Sequence, residues 1–487
     1  MQEFWDGIPP FVLPLLYTIG LLYAVINVLL ENKNPLKTHS YLLLLLLLPV
    51  LGILIYFFFG QNLRKKKIFA KRKLINKAFG QKYIDDFLDN THRLEVPDEF
   101  RPLEQYDKLI QFLVKDLSPL SMNNKVDVLR NGEEKFPALM KAIEEAQQHI
   151  HIEYYIFSND DIGHPLSQLL IKKAIEGVKV RIIADGVGSL GLKRSYIRTM
   201  REHGIEIYKF MPVLFPAFTS KINYRNHRKI VVIDGKIGFT GGINLNDRYI
   251  NNGKHKLYWR DTHLRLEGEA VKTLQFQFLL SWQFVSGMEP KIDEQIFPVF
   301  NHDIGKQCIQ INASGPDWEL ASIMDSFLLA LNSARSQIKI VTPYFIPTNS
   351  IMHAITTIAR SGEKVEIVIP YQGDSWIVQA ASLSYLKELL NAGVLVYLYK
   401  KGFIHAKAII VDETFASVGT ANMDSRSFNM NYEINTYIYE KSLALTLIDQ
   451  FESDKKDCVL IKLEDWKNRK TTQKLKESIC RLLAPLL

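Results

Sequence analysis

The chain has 487 residues, of which 47% are hydrophobic and 23% charged, and its formal net charge is +8 at pH 7. This composition argues against an intrinsically disordered protein, and the length allows more than one compact domain. The three cysteines are few and widely spaced, at Cys308, Cys458 and Cys480. They argue against a disulfide framework and a cysteine-based zinc site, and they favour a reducing compartment.

Two apolar segments open the chain, at residues 8–30 and 40–59, and neither contains Asp, Glu, Lys or Arg. Each approaches the ~20 residues that a helix needs to cross the hydrocarbon core of a bilayer. The acidic start, MQEFWDG, and the length of the apolar stretch disfavour a cleaved signal peptide. We therefore predict two transmembrane helices within residues 1–60.

A basic run follows the second apolar segment. Residues 64–73 read RKKKIFAKRK, with seven cations and no acid, whereas the linker at 31–39 has only Lys33 and Lys37. The positive-inside rule predicts a cytoplasmic N-terminus, an outward-facing linker and cytoplasmic catalytic domains in a multi-pass protein of the cell membrane. Because such a run attracts anionic headgroups, an anionic bilayer surface is a predicted partner.

Two similar halves make up the rest of the chain. The first contains GVKVRIIADG, HGIEIYKF and NHRKIVVIDGKIGFTGGIN, and the second contains GEKVEIVIPY, AGVLVYLYK and IHAKAIIVDETFASVGTAN. Short β-branched runs that alternate with helical stretches are typical of an α/β fold. We predict an anchor at 1–60, a basic and helical linker at 61–120, and domains at 121–300 and 301–487. Duplicated domains usually pack about a pseudo-twofold axis, which would bring equivalent motifs together.

An insertion distinguishes the first half from the second. It reads MPVLFPAFTSKINYR at residues 211–225 and lies directly before the first motif described below. Its aromatic and apolar residues fit a lid or a membrane-dipping loop, and they fit ordinary packing equally well.

Each half contains one His-x-Lys-x4-Asp motif. The motif residues are His227, Lys229 and Asp234 in the first half and His405, Lys407 and Asp412 in the second. His and Lys two residues apart on a strand point to the same face, so both can reach one ligand. A Lys beside a His suits an anionic phosphoryl group better than a metal. A histidine can attack phosphorus or protonate a leaving oxygen, and two histidines can divide these roles.

An asparagine follows each motif at the same distance, Asn244 after a Gly-Gly turn and Asn422 after a Gly-Thr-Ala turn. We predict His227 as the nucleophile and His405 as the general acid. No H-x-x-x-H pattern or acidic cluster supplies obvious metal ligands, so we predict catalysis without metal or cofactor.

These paired motifs resemble the HKD motifs of the phospholipase D superfamily over about residues 120–487. The segments EYYIFSNDDIG and YWRDTHLRLEG, the ending PLL and the two apolar spans are similar to bacterial cardiolipin synthases. The resemblance implies two phospholipase D-like domains, each a mixed sheet flanked by helices, with one active site between them. It also implies transfer of a phosphatidyl group between two phosphatidylglycerol molecules through a phosphohistidine, giving cardiolipin and glycerol.

The resemblance further implies roles for individual residues. The two motif histidines would form the catalytic pair, and carboxylates further downstream, at Asp261 and Glu433, would orient them. Phosphate would be bound by two lysines and two asparagines, namely Lys229, Lys407, Asn244 and Asn422. The motif residues Asp234 and Asp412 are expected to brace the strand–turn junction rather than to touch substrate.

Other residues allow two interpretations each. His149 and His151 alternate along a strand-like run and are expected to be structural. His263 is interpreted as a core histidine, with an approach to the site as the alternative. Tyr155 and Tyr344 end equivalent strands, where either pocket lining or aromatic packing is consistent with the sequence.

Alternative functions on the same scaffold are a phospholipase D hydrolase, another phosphatidyltransferase and a nuclease. The excess positive charge lies in the basic run and the remainder is nearly neutral, which disfavours nucleic acid as a partner. A non-catalytic membrane scaffold is disfavoured by the two intact motifs. The sequence carries no signal for an oligomeric state.

Overall fold

A computed structural model describes residues 9, 11–31, 35–55, 104–212, 223–290, 292–300, 302–318 and 321–484. The chain divides into an amino-terminal unit and a larger unit that holds both motifs, residues 74–212 with 223–487. The basic run at 64–73 and residues 213–222 of the insertion lie outside the described residues. The predictions made for them therefore stay predictions.

The amino-terminal unit contains three described helices: α1 (Val12–Glu31), α2 (Pro35–Leu47) and α3 (Pro49–Ile55). The second apolar segment is thus two helices rather than one. The break lies at Leu48, because Pro49 lacks an amide hydrogen and its ring obstructs a continuous helix. None of the helices in the described part of the chain has the length and apolarity expected of a membrane span.

The first half of the larger unit is built on a seven-stranded mixed sheet. The strand order is β1-β8-β6-β5-β2-β3-β4, in which β2, β3 and β4 are parallel and the other pairs antiparallel. The strands are β1 (Asn124–Arg130), β2 (His149–Tyr154), β3 (Lys179–Asp185), β4 (Glu206–Phe210), β5 (Lys229–Ile233), β6 (Ile237–Gly241) and β8 (Thr262–Gly268), with the short β7 (Tyr258–Arg260) outside the sheet. The helices of this half are α5 (Asn131–Glu144), α6 (Gly163–Ile175), α7 (Arg194–Glu202), the 3-10 helix Asp247–Ile250 and α8 (Ala270–Ser286), whereas α4 (Asp107–Lys115), which precedes β1 in the chain, packs in the core of the second half.

The second half repeats this sheet and adds one edge strand. Its order is β9-β18-β16-β15-β10-β12-β13-β19, which matches the first sheet strand for strand before β19. The strands are β9 (Ile309–Ser314), β10 (Gln337–Val341), β12 (Lys364–Pro370), β13 (Leu395–Tyr399), β15 (Ala408–Val411), β16 (Phe415–Gly419), β18 (Glu433–Ile438) and β19 (Cys458–Leu460), with β11 (Phe345–Ile346), β14 (Gly402–Ile404) and β17 (Met423–Asp424) outside the sheet. The helices are α9 (Ser322–Asn332), α10 (Asn349–Ser361), α11 (Trp376–Ser384), α12 (Leu386–Asn391), α13 (Ser425–Asn429), α14 (Lys441–Lys455), α15 (Leu463–Lys467) and α16 (Thr471–Arg481). The predicted α/β fold with an internal duplication is confirmed.

The two halves share a buried core element, helix α8. Its residues from Ala270 to Trp282 are all buried, and it packs on β5 and β8 of the first sheet and on β9 of the second. A helix that is buried along this whole length is covered on all sides, here by strands of both sheets. Helix α8 therefore joins the two sheets into one body.

Two strand contacts cross between the halves. Strand β7 pairs in parallel with β14, which aligns Arg260 with Ile404. An isolated bridge pairs Asn226 with Tyr432 in the same way. In each contact, one of the two paired residues directly precedes a motif histidine, and the other directly precedes a predicted carboxylate. The crossing contacts therefore fix the position of both predicted catalytic pairs.

Candidate active site

Both motif histidines line one cavity of about 370 Å³ between the two halves. His227 lies two residues before the first residue of β5, and its backbone N–H donates to the carbonyl of Tyr432 at 2.9 Å. His405 is held equivalently by its N–H bond to the carbonyl of Arg260 at 2.7 Å. The backbone of each half thus positions the histidine of the other half.

Each histidine is paired with a carboxylate from the opposite half. His227 Nδ1 lies 2.9 Å from Glu433 Oε2, and His405 Nδ1 lies 2.7 Å from Asp261 Oδ2. Since an ionised carboxylate only accepts hydrogen bonds, the Nδ1 proton lies on this contact and Nε2 is left for chemistry. The sequence predicted these two carboxylates, but it did not predict that each serves the histidine of the other half.

The two motif lysines lie behind the histidines and are almost fully buried, with 0% of Lys229 and 3% of Lys407 exposed. Lys229 Nζ donates to the carbonyl of His227 at 2.7 Å. Lys407 Nζ donates to the carbonyl of His405 and lies 2.9 Å from the Nδ1 atom of that residue. Each ammonium therefore adds positive charge directly next to one imidazole.

Burial lowers the pKa of each basic group in the site. Burial lowers the pKa of Lys229 to about 7 and that of Lys407 to about 8. Burial also lowers the pKa of His227 to about 4, with the Lys229 charge adding to the effect and Glu433 opposing it. Burial and the Lys407 charge hold the pKa of His405 well below its usual value. An anionic phosphodiester would stabilise the protonated forms, so the charge pattern favours an anion as ligand.

Burial also acts on the carboxylate beside His405. It raises the pKa of Asp261 to about 6, although the Lys407 charge opposes the rise. Asp261 is therefore mostly ionised at neutral pH, and in that form it accepts the hydrogen bond from His405 Nδ1–H.

The two asparagines predicted to bind phosphate both line the cavity. Asn244 is partly engaged, because its Nδ2 donates to the Tyr249 hydroxyl at 2.9 Å and its Oδ1 accepts from the Ile156 N–H at 3.2 Å. The buried Oδ1 of Asn422 has no hydrogen-bond partner among the described residues. Both side chains thus lie where a ligand in the cavity can be reached.

The motif aspartates lie at the far ends of the motif strands and not in the cavity. Asp234 accepts backbone N–H bonds from residues 147, 148 and 149, and Asp412 accepts them from residues 335, 336 and 337. Both aspartates adopt the left-handed conformation, with φ of 53° and 54°. Each carboxylate ties the turn after a motif strand to the start of the neighbouring antiparallel strand, β2 in the first half and β10 in the second.

The positions of Tyr155 and Tyr344 decide between pocket lining and aromatic packing for these two residues. Tyr155 and Tyr344 both line the cavity, and the Tyr155 ring lies 5.1 Å from the His227 ring. Tyr344 donates its hydroxyl proton to Asp374 at 2.7 Å. The pocket-lining interpretation is therefore the correct one for both tyrosines.

Three further histidines belong to the core. His149, His151 and His263 are buried and do not line the cavity. The His151 ring stacks on Phe278 at 4.5 Å, and His263 Nδ1 accepts a long hydrogen bond from the Ile243 N–H. The structural interpretation of all three is confirmed.

Several cavity residues were missed by the sequence reasoning, and they are polar or aromatic: Arg225, Arg248, Trp259, Asp374, Asp424, Arg426 and Asn431. One signal for two of them was available. Arg248 and Arg426 are 178 residues apart, as are His227 and His405, and each lies four residues after the asparagine of its half.

The described residues contain no group of three or more His, Cys, Asp or Glu side chains arranged to hold a metal ion.

Comparison with protein families gives two matches. A model described as "Cardiolipin synthase, PLD-like domain" matches residues 139–266 and 327–455, one segment in each half. A model described as "Phospholipase_D-nuclease N-terminal" matches residues 19–61.

Curated relatives match the chain along its whole length. A cardiolipin synthase from Halalkalibacterium halodurans is 40% identical, with 100% of this chain and 96% of the relative covered. A cardiolipin synthase from Listeria innocua is 39% identical, with 99% of this chain and 100% of the relative covered. Among solved structures, a phosphatidylserine synthase from Haemophilus influenzae matches at a TM-score of 0.61 and 14% identity, covering 79% of this chain and 100% of that one. This last similarity concerns the fold alone.

Proposed function

Because the chain belongs to the cardiolipin synthases of the phospholipase D superfamily, we propose that it joins two phosphatidylglycerol molecules into cardiolipin and releases glycerol. One observation carries this proposal. Two histidines from different halves share one cavity, and each is bound through Nδ1 to a carboxylate of the opposite half. Such a pair suits a two-step displacement, in which one histidine attacks and the other transfers protons.

In the first step, His227 Nε2 attacks the phosphorus of one phosphatidylglycerol. A P–N bond forms and the P–O bond to the headgroup glycerol breaks, while His405 Nε2 donates its proton to the departing oxygen. The bound phosphodiester anion stabilises the imidazolium form of His405 and so allows it to hold this proton. Lys229, Lys407, Asn244 and Asn422 offset the charge that develops on the phosphoryl oxygens.

In the second step, a terminal hydroxyl of another phosphatidylglycerol loses its proton to His405. Its oxygen attacks phosphorus and the P–N bond to His227 breaks, which gives cardiolipin and restores both histidines. One phosphodiester replaces another, so the equilibrium constant lies near one and the reaction is reversible. Glu433 and Asp261 keep both rings in the required tautomer throughout.

Hydrolysis is the competing outcome on the same scaffold. Water can resolve a phosphohistidine as well as an alcohol can, so transfer requires that the alcohol is held in line and water kept out. The motif lysines and both carboxylates are almost fully buried, so the groups behind the histidines are shielded from water. The curated relatives are cardiolipin synthases, which supports a transferase over a phospholipase.

We also propose that the amino-terminal unit holds the enzyme at the cell membrane, with the catalytic halves in the cytoplasm. Side chains along α1 are apolar and more than half exposed, among them Leu16, Ile19, Leu22 and Ile26. Apolar surface of this kind is stable when lipid covers it. The basic run at 64–73 supports cytoplasmic placement of everything that follows it.

The topology is tested by cysteine accessibility in intact cells. The variant Asn34→Cys, in the linker between the apolar segments, should react with a membrane-impermeant thiol reagent. The matched variant Lys387→Cys, at an exposed position of the second half, should react only after the cells are permeabilised. The reverse pattern would show that the orientation is wrong.

The function is tested by product analysis of the full-length enzyme in detergent micelles with phosphatidylglycerol as the sole lipid. We expect one glycerol released for each lipid formed that carries two phosphates and four acyl chains. Added glycerol in excess should convert that lipid back to phosphatidylglycerol. If the main product is phosphatidic acid and glycerol changes neither rate nor product, the enzyme is a phospholipase and the proposal is wrong.

A further inference from the structure

Transfer between two phosphatidylglycerol molecules places two phosphodiesters in one cavity. The donor phosphate reacts at the histidines, whereas the phosphate of the acceptor lies one glycerol unit away and stays unchanged. The motif lysines and asparagines serve the first of these anions. The second anion needs a cationic partner of its own, because an unpaired charge in a partly buried cavity is costly. This reasoning rests on the function proposed above.

Three arginines line the cavity, and two of them form no ion pair with an acidic side chain among the described residues. Arg225 is paired with Asp185 at 3.2 Å and is buried. Arg248 and Arg426 are half-buried, line the cavity and form no ion pair within 4 Å in the part of the chain that the structure describes. They occupy equivalent positions in the two halves, so either one is a candidate for the second phosphate.

Arg248 lies on the His405 side of the cavity and its side chain is held in place. Its Nε donates to Asn246 Oδ1 at 2.7 Å, and its guanidinium carbon lies 5.1 Å from the centre of the Trp259 ring. The Trp259 ring in turn lies 5.5 Å from the His405 ring. The two terminal nitrogens of Arg248 make no hydrogen bond to any described residue, which leaves a planar pair of donors that matches a phosphate.

Arg426 lies in a different electrostatic setting on the His227 side. Burial raises the pKa of Tyr155, the aromatic neighbour of His227, and the Arg426 charge opposes that rise. The residue equivalent to Asn246 is Asp424 here, an acid two positions before Arg426. Asp424 also lines the cavity, so its carboxylate offsets part of the attraction of that side of the cavity for an anion.

We propose that Arg248 binds the phosphate of the acceptor phosphatidylglycerol and thereby selects an anionic lipid as the second substrate. With the phosphatidyl group on His227, the leaving glycerol and the attacking alcohol both occupy the His405 side. The phosphate of the acceptor is joined to the attacking hydroxyl through a three-carbon glycerol, which places it beyond His405. Arg248 is the arginine on that side.

Two reactions of the full-length enzyme in phosphatidylglycerol micelles separate this role from the donor step. Cardiolipin formation needs two phosphates in the cavity, whereas exchange of labelled free glycerol into phosphatidylglycerol needs only one. The variant Arg248→Gln should lower cardiolipin formation by roughly 10- to 100-fold, the size expected for a charge-assisted hydrogen bond, and glycerol exchange by less than about 3-fold. Arg248→Lys should recover part of the lost cardiolipin formation.

The matched variant is Arg426→Gln, which removes the equivalent charge from the other half. We expect it to lower both reactions in parallel or neither. Equal losses of both reactions in Arg248→Gln would overturn the proposal, as would a selective loss of cardiolipin formation in Arg426→Gln. A wild-type enzyme that exchanges glycerol but makes no cardiolipin would instead contradict the proposed function, so the two failures are distinguishable.

Discussion

At the scale of single residues, the candidate active site gathers basic groups whose pKa values are lowered by burial. Lys229 illustrates the cost. Burial lowers its pKa from 10.5 to about 7, so from about pH 7 to 10.5 the unfolded chain binds a proton that the folded chain does not. The resulting loss of folding stability is complete below pH 7 and fades as the pH rises toward 10.5.

This lysine gives a pH-dependent stability prediction. The variant Lys229→Met has no titratable group at this position. The free energy of unfolding of the variant minus that of wild type should therefore be larger at pH 6 than at pH 9, by on the order of 3 kcal/mol. Transferase activity should be lost. Thermal unfolding of both proteins at the two pH values measures the shift.

The control for this measurement is Lys236→Met, because Lys236 is exposed on the turn after β5. Its effect should stay within about 0.5 kcal/mol at both pH values. A stability difference between Lys229→Met and wild type that does not change with pH, or that grows in favour of wild type at pH 6, would contradict the charge state assigned to the site.

Many of the site residues could be predicted from the sequence, because the residues of each motif are close together in the chain. His227 lies only two residues before Lys229, the first residue of β5, so their proximity follows from the sequence itself. The crossed partnership of His227 with Glu433 was not accessible, since 206 residues separate them and only the packing of the halves decides it. Arg248 was overlooked for another reason: an isolated arginine outside a motif resembles any surface cation.

At the scale of elements, the apolar run between Lys and Asp in each motif predicted a buried strand, and both β5 and β15 are buried throughout. The motif aspartates follow from the same geometry. Each ends a strand in the left-handed conformation and accepts three backbone N–H groups, a cost in conformation that the hydrogen bonds offset.

The second apolar segment does not form the single continuous helix that its hydropathy predicted. Hydropathy alone predicted one helix over residues 40–59, but the described helices break at Leu48, one residue before Pro49. Leucines dominate the apolarity of the segment and conceal the effect of a single proline. Whether a helix continues depends on each residue in turn, whereas hydropathy is an average over many.

At the scale of the whole molecule, the duplication explains why a single site needs both halves. The strand orders of the two sheets match, and the pairings of β7 with β14 and of Asn226 with Tyr432 cross between the halves at equivalent places. Each half supplies one histidine, one lysine and the carboxylate for the opposite histidine. The equivalent groups of the two halves are thus merged into one cavity, and we propose that these near-symmetric groups take different roles.

The central claim is that this merged site acts through a covalent intermediate on His227, with His405 transferring protons. Phosphatidylglycerol labelled at its phosphate, mixed briefly with the enzyme and quenched in denaturant, tests it directly by peptide mapping. The account predicts label on the peptide that contains His227 and none in the variant His227→Ala, which should also form no cardiolipin. Label on the His405 peptide, or cardiolipin formed at the wild-type rate by His227→Ala, would contradict it.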